Sequence, residues 1–139
     1  MNRRDFIAAG TATLLLPAAA QAANGVPYKR GLVEKHLEAG DTVFLDFYTD
    51  WCSTCASQGR TIEALLKSNP DYEENIVFIK VDWDQHSNSR LARRLKIPRR
   101  STLVALKGDE VLGKIIAQTS RTKIKDLMDT ALAAAQASA

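Results

Sequence analysis

The feature that most constrains this chain is a pair of cysteines three residues apart, Cys52 and Cys55, set directly behind a near-continuous apolar run. That run, Thr42-Val43-Phe44-Leu45-Asp46-Phe47-Tyr48, is rich in β-formers and predicts a central strand covered on both faces. A helix is expected to open at the cysteines and to continue to about Ser68, where Asn69-Pro70 ends it. Ile62, Leu65 and Leu66 supply its inner stripe.

The remaining elements follow from period and punctuation. A short helix is expected over residues 31–39, a second buried strand over 76–81, and a short helix over 89–95 stopped by Pro98. A strand over 102–106, a turn at Lys107-Gly108-Asp109-Glu110 and a strand over 111–116 make a hairpin. From Arg121, the residues Ile124, Leu127, Met128, Ala131, Leu132 and Ala135 share one face of a last helix. The two early strands, separated by a helix, must run parallel with a right-handed crossover, whereas the late pair is antiparallel. The reading is an α/β fold: a mixed four-stranded sheet flanked by helices on both faces. Residues 23–29 read as a loose leader and 133–139 as a frayed end.

The N-terminus has a different character. Asn2, Arg3 and Arg4 make a basic start, a modestly apolar stretch over 6–20 follows, and Ala20-Gln21-Ala22 closes it with small residues. The stretch is too short and too diluted by Gly10, Thr11, Thr13 and Pro17 to span a bilayer. This is the layout of a cleavable export signal, and Arg3-Arg4-Asp5-Phe6-Ile7 resembles the twin-arginine motif. Residues 1–22 are therefore expected to be removed after passage through the twin-arginine export machinery. Residues 23–139 would remain as one domain in the bacterial periplasm.

Removing Arg3, Arg4 and Asp5 lowers the formal charge from +3 to +2, too weak an excess to point to nucleic acid or a membrane surface. With both cysteines in one C-x-x-C unit, none remains for a structural disulfide. In an oxidising compartment the pair is then there for chemistry. No second C-x-x-C or H-x-x-x-H completes a zinc set, His36 and His86 stand alone, and neither metal nor cofactor is expected.

At a helix start, the first sulfur of such a pair meets unsatisfied backbone N–H groups and the positive end of the helix dipole. Both favour the thiolate, and sites of this kind bring a cysteine pKa from ~8.5 into a range of ~3.5–7.5. Cys52 is thus the expected attacking thiolate and Cys55 the resolving thiol. Cys55 needs a nearby base, and Asp46, mid-strand among Phe44, Leu45 and Phe47, is the candidate. Burial raises a carboxyl pKa and lets it exchange protons near neutrality.

The segment from Asp46 through Trp51-Cys52-Ser53-Thr54-Cys55 resembles the active site of the thioredoxin family, and the predicted element order is similar to that family's over nearly all of residues 23–139. The resemblance implies a thiol–disulfide oxidoreductase acting on protein disulfides, with a buried acid at Asp46 beneath the cysteines. It also implies that Trp51 shapes the surface that meets the partner, with Tyr48 a weaker candidate. A membrane electron donor would keep the pair reduced, and a monomer is expected. The dipeptide Ser53-Thr54 leaves reductase and oxidase directions both open, because potentials among such proteins span roughly 150 mV.

One departure stands out. The family places a cis-proline opposite the cysteines, just before a strand that starts Thr-Leu. Counting back from Thr102 without gaps puts Ser101 there. The alternative takes Ile97-Pro98 as the motif, followed by an insertion of Arg99, Arg100 and Ser101. A cis bond before serine costs about 2.5–4 kcal/mol, so Ser101 is expected to be trans and to offer a hydroxyl and an N–H to the sulfurs. Ser101, Thr102 and Arg100 join Trp51 as expected substrate contacts. Arg90, Arg93, Arg94, Lys96, Arg99 and Arg100 cluster before this strand, and Arg99 and Arg100 fall beside the cysteines in either alignment. Two competing readings of the same pair are a carrier of a soft metal such as Cu(I) and an assembly factor that works without turnover.

Overall fold

A computed structural model describes residues 25–137; the segment read as an export signal lies outside them. The elements in chain order are β1 (Val26–Pro27), α1 (Leu32–Glu38), β2 (Thr42–Tyr48), α2 (Ser53–Ser68), α3 (Asp71–Asn75) and β3 (Ile76–Asp82). They continue with α4 (Trp83–His86), α5 (Arg90–Arg94), β4 (Thr102–Lys107), β5 (Glu110–Ile116) and α6 (Arg121–Ala137). The sheet order is β1-β3-β2-β4-β5. β2 and β3 are parallel in register from Thr42–Ile76 to Tyr48–Asp82, and β4 and β5 complete the sheet antiparallel.

The sheet has five strands where the sequence suggested four. The extra one comes from the stretch read as a loose leader: Val26 and Pro27 pair with Ile79 and Lys80 at the sheet edge. A two-residue strand carries no periodicity to detect, and proline is tolerated at an edge. Gly25 lets the chain approach, since a Cβ there would lie 2.3 Å from the Phe78 carbonyl oxygen. Two short helices also escaped notice. Pro70, which ends α2, also starts α3, and Tyr72 of α3 is buried with its hydroxyl donating to Asp129 of α6. The Asp82 side chain caps α4 by accepting from Asp84 N–H. The Ala-rich end expected to fray continues as helix to Ala137, consistent with alanine's high helix propensity.

Alternation along β2 divides the interior into two layers. Val43, Leu45 and Phe47 point to one side and meet Val33 of α1, Leu91 and Ala92 of α5, and Val104. Phe44 points to the other and meets Ile62 and Leu65 of α2, Tyr72, Leu103, and Ile124 and Met128 of α6. Asp46, two residues after Phe44, therefore sits in the α2 layer beside Leu103 of β4 and Lys80 of β3. The C-terminal end of β2 runs through Thr49, Asp50 and Trp51 into Cys52, where α2 begins.

Candidate active site

Cys52 is the N-cap of α2. Its sulfur accepts from the Cys55 N–H at 3.1 Å, taking the place of the usual serine or aspartate oxygen. Burial works against its thiolate. Hydrogen bonds from the Cys55 thiol, the Ser101 hydroxyl, the Cys55 N–H and the Arg100 side chain prevail, and the pKa comes down from 9.0 to about 7. For Cys55, one turn on, burial pushes the thiol up and its bond to Cys52 adds in the same direction. The two thiols are free, and both are buried. One sulfur is thus prepared to ionise near neutrality while the other stays protonated.

Ser101 stands between them. Its Oγ lies 3.2 Å from Cys52 Sγ and 3.1 Å from Cys55 Sγ. A hydroxyl has one hydrogen and two lone pairs, so it can donate to a Cys52 thiolate while accepting from the Cys55 thiol. Of the two alignments, the structure supports the ungapped one, because Pro98 is exposed and Ser101 touches the sulfurs. No peptide bond among the described residues is cis. Ser101 instead adopts φ +66°, and its N–H donates to Phe47 O at 2.7 Å, just past the last registered β2–β4 pair, Phe47–Thr102. Proline can supply neither that φ nor that donor.

Asp46 is 3% exposed, and its Oδ1 has no hydrogen-bond partner among the described residues. Desolvation raises its pKa from 3.8 to about 6, with Lys80 on the neighbouring strand pulling the other way. It is a carboxyl buried in the layer that α2 covers.

Trp51 is 63% exposed, its Nε1 donating to Asp84 Oδ2 at 2.9 Å. The Arg100 guanidinium lies over its ring, 4.4 Å from the centroid. An apolar plate and a cation therefore flank Cys52. Thr102 differs from the expectation of a substrate contact. It is fully buried and its hydroxyl donates to Arg99 O, because β4 is a central strand covered on both faces. It braces the Arg99–Ser101 turn from inside. Tyr48 is half-buried under the Lys80 ammonium. His36 pairs with Asp41, and His86 meets the Tyr28 ring edge-on.

The sequence reading missed Gln58. It is fully buried on the inner stripe of α2, between Cys55 and Ile62, and its Nε2 donates to Ser101 O and to Gln118 O. The available signal was an amide on an otherwise apolar helix stripe.

Comparison with known proteins agrees with this geometry. The family model described as Thioredoxin matches residues 29–130. The chain belongs to the thioredoxin family. It is 26% identical over 93 residues to a thioredoxin of Buchnera aphidicola, covering 67% of this chain and 81% of that one. With thioredoxin-1 of Drosophila yakuba it shares 31% over 80 residues, or 56% and 70% of the two chains. The crystal structure of spinach chloroplast thioredoxin F superposes with a TM-score of 0.62 at 27% identity, covering 81% of this chain and 96% of that one. As a thioredoxin-family protein the chain is a disulfide oxidoreductase, and Cys52 and Cys55 are its redox pair.

Proposed function

We propose that this thioredoxin-family protein is an exported, periplasmic dithiol reductase or isomerase for disulfides of other exported proteins. The observation that carries the reading is the contrast between the two sulfurs. Cys52 caps a helix and is drawn down to about 7, while Cys55 beside it is pushed up. Cys52 thiolate attacks a substrate disulfide, forming a mixed disulfide and expelling one substrate thiolate. Cys55 then gives its proton to Asp46, directly or through one water, and attacks Cys52 Sγ. The mixed disulfide breaks, the second substrate thiolate leaves, and two electrons have moved. The protein is left as the Cys52–Cys55 disulfide, which a membrane dithiol donor reduces again. An acid with a pKa of about 6 suits both taking that proton and returning it.

Export is supported by the order of residues 1–22, with Arg3-Arg4 ahead of the apolar stretch and Ala20-Gln21-Ala22 at its end. Twin-arginine export usually carries folded proteins, so the domain would fold in the cytosol with its thiols reduced. The experiment has two arms. Insulin-disulfide reduction should be present in the purified protein and absent in Cys52→Ser, and periplasmic fractionation should recover the processed chain but lose it in Arg3→Lys/Arg4→Lys. A protein that leaves insulin intact, and that carries stoichiometric copper after anaerobic purification, would instead be a metal carrier.

A further inference from the structure

Ser101 is held in an unfavourable conformation, and the question is what holds it. Both Ser101 (φ +66°) and Ala117 (φ +57°) lie in the left-handed region, which costs a residue with a Cβ about 1 kcal/mol or more. They face each other one rung beyond the last registered pair of the β4–β5 hairpin, Thr102–Ile116, where the Ala117 N–H donates to Ser101 O at 2.8 Å. Gln58 reaches this open end from α2. One hydrogen of its amide goes to Ser101 O at 3.1 Å and the other to Gln118 O at 2.9 Å. Both neighbours are carbonyl acceptors, so the NH2 group must face them; the orientation of the amide is forced by chemistry.

The sequence therefore spends a fully buried amide where an apolar side chain would complete the stripe of Ile62 and Leu65. In return, the helix that carries both cysteines is tied to the backbone of the residue whose hydroxyl lies between them. Ser101 is fixed through its N–H by Phe47 and through its carbonyl by Ala117 and Gln58. Of the three, Gln58 alone comes from α2, so it sets the distance between the hydroxyl and the sulfurs.

We propose that Gln58 is a positioning residue for the redox pair: it aims the Ser101 hydroxyl at Cys52 and Cys55 by clamping the Ser101 carbonyl to α2. It touches neither the substrate nor the transferred electrons and acts through Ser101. This inference rests on the reading of Cys52 as the nucleophile.

The test is a double-mutant cycle read on the Cys52 pKa, measured by the pH dependence of iodoacetamide alkylation. Gln58→Met preserves volume and removes both donors. It should raise the Cys52 pKa by about half to one pH unit, the size of one ordinary hydrogen bond to the thiolate. Ser101→Ala should raise it similarly. In the Ser101→Ala background, Gln58→Met should have no further effect beyond an additivity error of about 0.3 unit. An equal shift with Ser101 absent, or no shift in a folded Gln58→Met protein, overturns the proposal. A Cys52 that titrates like a free thiol in the unaltered protein would overturn the functional reading instead. Should Gln58→Met not fold, NMR of the unaltered protein decides. The Gln58 side-chain amide protons should be protected from exchange and should shift when Cys52 titrates; exchange-labile, unresponsive amide protons would refute the clamp.

Discussion

Asp46 offers a prediction whose sign and size both come from the fold. In an unfolded chain its carboxyl ionises near 3.8, whereas in the native protein burial holds it at about 6. Between these values the native state binds the extra proton, so stability falls as pH rises through that window. The gap corresponds to about 3 kcal/mol at 1.36 kcal/mol per pH unit, a contribution fully present at pH below the unfolded value and fully lost above pH 7. Asp46→Asn removes the titration. The cost of burying its uncharged amide is the same at every pH. Urea unfolding of the reduced proteins from pH 4 to pH 8 should show Asn gaining on Asp by about 2–3 kcal/mol across the range, with most of the change between pH 4 and 6.5. Disulfide turnover by Asp46→Asn should drop at the resolving step, seen as accumulated mixed disulfide. A stability difference that stays flat with pH would refute a buried, desolvated carboxyl.

Three further substitutions test other parts. Ser101→Pro loses the N–H bond to Phe47 O and conflicts with φ +66°, so it should cost about 2 kcal/mol or more in urea unfolding; a variant of unchanged stability would mean the Ser101 amide makes no such bond. Arg100→Gln removes a cation from Cys52 and from the Trp51 ring. It should raise the Cys52 pKa by up to about 0.5 unit with stability unchanged to about 0.5 kcal/mol, because the pair is partly solvated. Gly25→Ala drives a Cβ into the Phe78 carbonyl at positive φ and should cost about 1–3 kcal/mol in the same assay while leaving Cys52 alkylation unaltered.

The parts of the fold legible in the sequence are those that bury long, patterned segments. β2, β3 and α6 announce themselves through runs of Val, Ile, Leu and Phe at one period. β1 and α4 do not, since two to four residues stabilised by pairing or by one cap leave no pattern. At the site, Cys52, Cys55 and Asp46 were legible because their residue types are costly or reactive where they stand, behind and within an apolar strand. Ser101 was legible only through its register with Thr102. Gln58 was not, because its importance lies in partners 43 and 60 positions away. Thr102 was misjudged for a local reason: β4 is covered on both faces from its first residue, so its side chain has no route to a partner.

The most direct measurement is the alkylation rate of each cysteine in the reduced protein as a function of pH, resolved by mass spectrometry. The account predicts that Cys52 reacts first with a midpoint near pH 7, while Cys55 stays slow through neutrality. A Cys52 midpoint near ~8.5, the value of an unperturbed thiol, or a Cys55 that reacts ahead of it, would contradict it.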